Sequence, residues 1–205
     1  MTMIHRIFKP IQPLRIDTKE VLHYASSLPL KDEEVLRYAK KAIELCQQAA
    51  FPICIYTHLP IAKREANRIT LGKGFVLSGE LTVKYLSDCE GAYILLGTVG
   101  QSVDRMIAAA GIRSMTDGLM ADAAGSAAVE ALLDDFCQKI DPKSLPKPRI
   151  SPGYGDFKLE NQIEIFKLLD ATRSLGVCLN QSLMISPSKS VSAVVGTGKE
   201  TSCLI

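Results

Sequence analysis

The order of strand-type and helix-type segments constrains the fold of this chain more than any other feature. β-Branched and aromatic residues with turn signals cluster in three consecutive stretches: ICIYTHLPI from Ile53, GFVLSGELTV from Gly74 and GAYILLGTVG from Gly91. Helical periodicity precedes this cluster over residues 31–50 and follows it over about 102–110 and 115–140. Because strands and helices occur in clusters and do not alternate strictly, we predict an α+β fold with a mainly antiparallel sheet flanked by helices.

The two ends of the chain extend this pattern. Pro10 and Pro13 favour short edge strands or extended chain over residues 5–16, and Asp17 is a typical N-cap for a short helix over 18–26. We therefore divide the chain into a lead-in with a short helix, residues 1–30, and a core, residues 31–205. Within the core, the connector DPKSLPK precedes a predicted helix near 159–173 that ends before Gly176, and strands are predicted around 177–179 and 191–195.

Composition excludes several classes of protein. The chain of 205 residues is 47% hydrophobic with a formal net charge of +2, and it lacks the basic stripe of a nucleic-acid-binding surface. It has neither a stretch of about 18 apolar residues nor an N-terminal apolar region, so we expect no membrane span and a cytoplasmic location. The six cysteines form no C-x-x-C pair, a pattern that indicates reduced thiols and no metal site.

Four features carry weaker chemical signals. The segment GTGKET resembles the end of a phosphate-binding loop, but Glu200 stands where Ser or Thr is needed, and GTVG lacks the G-x-G-x-x-G spacing. The three histidines lie in no catalytic motif. Asp122 and Glu130, two helical turns apart, form a candidate acid–base or cation-binding pair. Gly125 lies between them, and it indicates that another backbone, a neighbouring helix or a ligand approaches this helix closely.

The stretch RISPGYGDF, from Arg149 to Phe157, is the best candidate site. A turn at Pro152 and Gly153 exposes main-chain donors and acceptors, and Asp156 is placed to cap the segment that follows. Arg149 offers a planar fork for a carboxylate or phosphate, and Tyr154 offers a π face for a cation or a base. A ligand that carries a carboxylate, a cation and a purine would use all of these groups.

This loop resembles the arginine-x-x-x-glycine-tyrosine signature of the activation domain of cobalamin-dependent methionine synthase, which binds S-adenosylmethionine and also occurs as a stand-alone protein. The segments DAAGSAAVE from Asp122 and MISPSKSVSAVVG from Met184 add to the resemblance, which spans roughly residues 30–196. The resemblance implies that Arg149 holds the methionine carboxylate, that the main chain at Ser151 and Gly153 meets the ligand, and that Tyr154 lies near the sulfonium.

The resemblance also implies a function. Oxidised cobalt(II) cobalamin, carried by a methionine synthase or another corrinoid partner, would take one electron from a flavodoxin-like donor and a methyl group from S-adenosylmethionine. No catalytic residue or metal ligand is then expected in this chain. Lys189 and Ser190, in the turn SPSKS, would lie at the rim of the cleft and bind cobalamin or the partner. Two alternatives stay open: a module that docks on a corrinoid protein without binding S-adenosylmethionine, and a small-molecule methyltransferase.

Overall fold

The computed structural model describes residues 5–11, 13–25, 32–140 and 148–198. The helices are α1 (Thr18–Tyr24), α2 (Asp32–Ala49), α3 (Glu80–Tyr85), α4 (Gln101–Arg113), α5 (Met115–Ile140), α6 (Asn161–Leu169) and α7 (Ala171–Leu175). The strands are β1 (Arg6–Phe8), β2 (Ile53–Arg64), β3 (Arg68–Leu71), β4 (Phe75–Ser78), β5 (Gly91–Thr98), β6 (Cys178–Leu179), β7 (Ile185–Ser186) and β8 (Ser190–Thr197).

One antiparallel sheet organises the molecule. Its order is β4-β3-β2-β5-β8, and β1 also pairs with β2. The long β2 pairs with β5 from Ile53 to Pro60 and then continues to pair with β3. β6 and β7 form a separate two-stranded sheet. The predicted α+β class, with a mainly antiparallel sheet flanked by helices, is confirmed.

Helices cover both faces of this sheet because its central strands alternate between two hydrophobic cores. On β5, Leu95 faces the core formed with α1, α2, α4 and α5, whereas Ile94 and Leu96 face the core formed with α3, α6 and α7. The longest helix, α5, lies so close to β5 that a side chain at Gly97 would come within 2.7 Å of Leu133. The sheet and α5 thus form a closely packed frame for the loops at the edge of β8.

The N-terminal lead-in packs on the same frame. The Asp17 carboxylate accepts a 2.8 Å hydrogen bond from the backbone N–H of Lys19, so the predicted N-cap of α1 is confirmed. Leu14 and Val21 are buried in the core that contains α5. The division between lead-in and core falls at residues 26–31, outside the described residues, and it stays a prediction.

Three local predictions are wrong. The segment ELTV, expected to be a strand, forms the start of α3, and β3 was not predicted at all. The helix α4 does not end before Gly111 but runs to Arg113. Gly118 of α5 is the glycine that lets the two helices approach, because a side chain there would come within 2.8 Å of the Gly111 Cα. The predicted helix over 159–173 divides into α6 and α7 at Asp170, which adopts a left-handed conformation.

Candidate functional site

The candidate loop lies along the outer edge of β8. Ile150 pairs with Val194: its N–H donates to the Val194 carbonyl at 3.1 Å, and the Val194 N–H donates back at 2.8 Å. The strand β8 is almost entirely buried, so this pairing ties the start of the loop to a core strand. Arg149 and Ser151, on either side of Ile150, therefore have defined positions.

The turn itself is closed by main-chain hydrogen bonds. The Gly153 N–H donates to the Phe157 carbonyl at 2.7 Å, and the Tyr154 N–H donates to the Ser151 carbonyl at 3.2 Å. Gly153 and Gly155 have φ values of 97° and 58°, which favour glycine. Phe157 is fully buried and anchors the far end, whereas the Tyr154 side chain is 67% exposed. The turn presents the Tyr154 ring and the exposed main chain at Gly153 and Gly155 to solvent.

Asp156 caps a helix, but not the one predicted. Its carboxylate accepts hydrogen bonds from the backbone N–H groups of Glu80, at 2.6 Å, and Leu81, at 2.9 Å. These groups are the free donors at the start of α3, which lies far upstream in the sequence, and α6 has no side-chain cap. The expectation that Asp156 caps the following segment is wrong; it joins the loop to α3 instead.

Arg149 points away from the turn and towards α5. Its Nη2 donates to Glu130 Oε2 at 2.6 Å, its Nη1 donates to the Asp134 carboxylate, and Nη1 also lies 3.9 Å from the Cys137 Sγ. The arginine side chain is only 18% exposed, against 36% for Glu130 and 59% for Asp134. These contacts use fewer than the five N–H donors of a guanidinium, so the group retains capacity for a further acceptor.

The charge of Arg149 is firmly held. Burial would lower the pKa of its guanidinium, but the Asp134 and Glu130 carboxylates outweigh burial and hold the pKa above its ordinary value. A ligand carboxylate would therefore meet a permanent cation that already has two anionic partners. Of these partners, Asp134 is the more exposed and the easier to displace.

The structure separates Asp122 from Glu130. Asp122 pairs with Lys189, whose Nζ lies 2.8 Å from the Asp122 carboxylate and 2.9 Å from the Ser126 hydroxyl. Glu130 pairs with Arg149 instead. Asp122, Ser126, Glu130 and Asp134 follow one another at four-residue intervals, so they share one face of α5. That spacing was the available signal for Ser126 and Asp134, which were not among the predicted site residues.

Lys189 and Ser190 are buried rather than placed at a rim. Lys189 is 9% exposed and Ser190 is 7% exposed. The Ser190 hydroxyl donates to Thr98 Oγ1 at 2.8 Å, which joins the start of β8 to the end of β5. A side chain at Gly125 would come within 3.0 Å of the Lys189 Cγ, so Gly125 makes room for this lysine. The rim position is thus wrong, and a role of these residues in docking stays a prediction.

A cavity of about 730 Å³ adjoins the carboxylate partners of Arg149. It lies between the lead-in and α5, and Glu130 and Asp134 are among the residues that line it. A cavity of this volume accommodates a ligand of the size of a nucleoside bearing an amino acid chain. The ion pairs of Arg149 with Glu130 and Asp134 thus lie between the loop at the edge of β8 and this cavity.

Within residues 5–11, 13–25, 32–140 and 148–198, no group of His, Cys, Asp or Glu side chains could hold a metal ion. No helix in the same part of the chain is long and apolar enough to cross a membrane.

The comparisons with known proteins support the fold alone. No protein-family model and no curated protein matches the sequence. Among solved structures, the chain is similar to a crystal structure of the MetH reactivation domain bound to AdoHcy (S-adenosylhomocysteine), with a TM-score of 0.72 over 98% of this chain and 80% of that chain. The sequences are 15% identical. The chain is thus an α+β protein with the fold of a reactivation domain, and the structural side of the resemblance is confirmed.

Proposed function

We propose that this protein binds S-adenosylmethionine and serves as the reactivation partner of a cobalamin-dependent methionine synthase. The observation that carries the proposal is the position of Arg149 and its turn on the edge of β8, in a chain whose fold matches a domain solved with AdoHcy. The loop offers a permanent cation, open main chain and an exposed ring within six residues. These groups suit the three parts of S-adenosylmethionine.

Each residue of the loop has a distinct role in this proposal. Arg149 holds the carboxylate of the ligand, since a guanidinium binds a carboxylate through two parallel N–H groups. The main chain at Ser151 and Gly153 meets the adenosine, and a side chain at Gly153 would narrow the approach. Tyr154 lies at the sulfonium end, where its π face is attractive to a cation.

The chain's contribution to the chemistry is binding and positioning. When bound by the partner, cobalamin reduced by one electron from a flavodoxin-like donor would supply the nucleophile for the methyl group, and this chain would hold the sulfonium towards it and then release AdoHcy. This transfer moves no proton, so it requires no general acid or base from this chain. Lys189 and Ser190 would act indirectly, by fixing the SPSKS turn against α5 and β5 next to the docked partner.

One observation favours a second function, that of a module that docks on a corrinoid protein without binding S-adenosylmethionine. Arg149 is already paired with two carboxylates. A ligand must compete with them, and Asp134 and Glu130 repel its carboxylate. Equilibrium dialysis with labelled S-adenosylmethionine separates the two functions, because only the first requires binding by the isolated protein.

The decisive test of the proposed function is a reactivation assay. A methionine synthase that lacks its own reactivation domain is prepared with cobalt(II) cobalamin and mixed with reduced flavodoxin, S-adenosylmethionine and this protein. The proposal predicts formation of methylcobalamin, read from its absorbance, and less of it with Arg149→Lys at an S-adenosylmethionine concentration that does not saturate the wild type. The matched control is Arg173→Lys, because the Arg173 side chain is 86% exposed and remote in sequence from the loop. If the wild type yields no methylcobalamin, the proposed function is wrong.

A further inference from the structure

The cavity beside Arg149 has a wall that the loop RISPGYGDF does not provide. The lead-in and α1 form one side of it, through residues between Ile11 and Tyr24, and α5 forms the other. The α5 side includes Ala127 and Ala131, whose small side chains leave room above the helix. A ligand anchored at Arg149 therefore has open space towards α1 as well as along the turn.

Tyr24 is the only aromatic side chain among the described residues that line this cavity. It is the last residue of α1, and its side chain is 47% exposed although the ring is large and mostly apolar. Val21, and not Tyr24, is the residue that α1 buries in the core. The ring is thus available to a ligand.

Tyr24 shares its cavity with Glu130 and Asp134, the two carboxylate partners of Arg149. Burial, followed by Glu130, raises the pKa of the Tyr24 hydroxyl, and Arg149 acts in the opposite direction. The hydroxyl is therefore protonated and can donate a hydrogen bond. Tyr24 and Glu130 line the same cavity, and the Arg149 guanidinium pairs with Glu130.

The charge of the cavity decides which part of a ligand Tyr24 meets. Five carboxylates line the cavity, against two basic side chains, Arg15 and Lys139. This excess of negative charge favours a cationic group over an anionic one. In an α-amino acid, the ammonium is one carbon away from the carboxylate. If Arg149 holds the carboxylate, the ammonium lies within reach of the cavity wall.

We propose that Tyr24 is a further binding residue, whose ring contacts the α-ammonium group of the ligand that Arg149 holds. The cation lies against the face of the ring while the cavity carboxylates balance its charge. The lead-in thereby becomes part of the ligand site. This inference rests on the proposed function, because it concerns the same ligand.

The test uses the full chain with Tyr24→Phe and Tyr24→Leu, titrated calorimetrically with S-adenosylmethionine and with AdoHcy. Phenylalanine keeps the π face, so its affinity should stay within about twofold of the wild type, whereas leucine should lose about three- to tenfold for both ligands. The matched control is Phe51→Leu, another exposed aromatic residue, 70% exposed and outside the cavity lining. A second control ligand is 5′-methylthioadenosine, which has no amino acid end and should bind both variants as it binds the wild type.

The titrations distinguish a failure of the proposed function from a failure of the role proposed for Tyr24. If the wild type binds neither S-adenosylmethionine nor AdoHcy, the proposed function fails and this inference fails with it. If the wild type binds them and Tyr24→Leu binds equally well, the inference alone is overturned. An equal loss for 5′-methylthioadenosine also overturns it, because Tyr24 would then act on the nucleoside or on the shape of the cavity. Melting temperatures of the variants show whether any loss reflects unfolding.

Discussion

Gly125 and Lys189 should be energetically coupled, because the lysine side chain lies across the helix at the glycine. A side chain at Gly125 would come within 3.0 Å of the Lys189 Cγ, 3.1 Å of its Cε and 3.2 Å of the Ile107 Cδ1. Alanine in place of glycine gains about 1 kcal/mol in a helix interior, while overpacking costs about 1–3 kcal/mol. Gly125→Ala alone should therefore reduce the free energy of unfolding by about 0–2 kcal/mol.

Truncation of the lysine should reverse the sign of this effect. Lys189→Ala removes the Cγ and Cε atoms, and the end of the Ile107 side chain is free to shift. In that background Gly125→Ala should stabilise the protein by about 1 kcal/mol, so the two sites couple by about 1–3 kcal/mol. Urea unfolding of the wild type, both single variants and the double variant measures this coupling.

A second glycine provides the control for this cycle. Gly111 lies inside α4, and a side chain there would meet no other atom within 4 Å. Gly111→Ala should therefore stabilise the protein by a similar amount with or without Lys189. The explanation of Gly125 is refuted if Gly125→Ala has the same effect in both backgrounds, within about 0.3 kcal/mol.

Two further predictions concern the loop and the thiols. Asp156→Ala removes the cap of α3, so urea unfolding should show a free energy of unfolding lower by about 1–2 kcal/mol. The control is Asp88→Ala, at an exposed position, which should have almost no effect. Equal effects of the two substitutions would contradict the capping role of Asp156. Among the described cysteines, Cys178 alone is exposed, and burial raises the pKa of Cys46 to about 11. Alkylation of the native protein at pH 8, mapped by mass spectrometry, should therefore label Cys178 well before Cys46, and the opposite order would be inconsistent with the fold.

The sequence was sufficient to predict those elements whose structure depends on neighbouring residues. The N-cap at Asp17 and the long periodic pattern of α5 both depend on neighbours within a few residues, and both were predicted. The strand assigned to ELTV failed because the cap of α3 comes from Asp156, a contact between residues more than 70 positions apart. No local pattern contains that information.

In the candidate site, too, features set by neighbouring residues could be predicted, and features set by tertiary packing could not. The turn at Gly153 and the presence of Arg149 could be predicted from their neighbours, because turn chemistry is local. The direction of the arginine side chain could not, since it depends on how α5 packs beside β8. The Arg149 side chain is mostly buried, and its loss leaves Glu130 and Asp134 as a pair of like charges. Arg149→Ala is therefore expected to reduce stability as well as binding.

Calorimetric titration of the wild type, Arg149→Lys and Arg149→Ala shows whether Arg149 holds the carboxylate of S-adenosylmethionine. Lysine keeps the charge without the planar fork, so it should weaken binding by about 1–2 kcal/mol, roughly tenfold, and alanine by about 2–4 kcal/mol. Titrations well below each melting temperature separate the loss of affinity from the loss of stability. The affinity for S-adenosylmethionine should therefore fall from the wild type to Arg149→Lys to Arg149→Ala, and Arg173→Lys should bind as the wild type does. Equal affinities for all variants, or no binding by the wild type, would contradict this prediction.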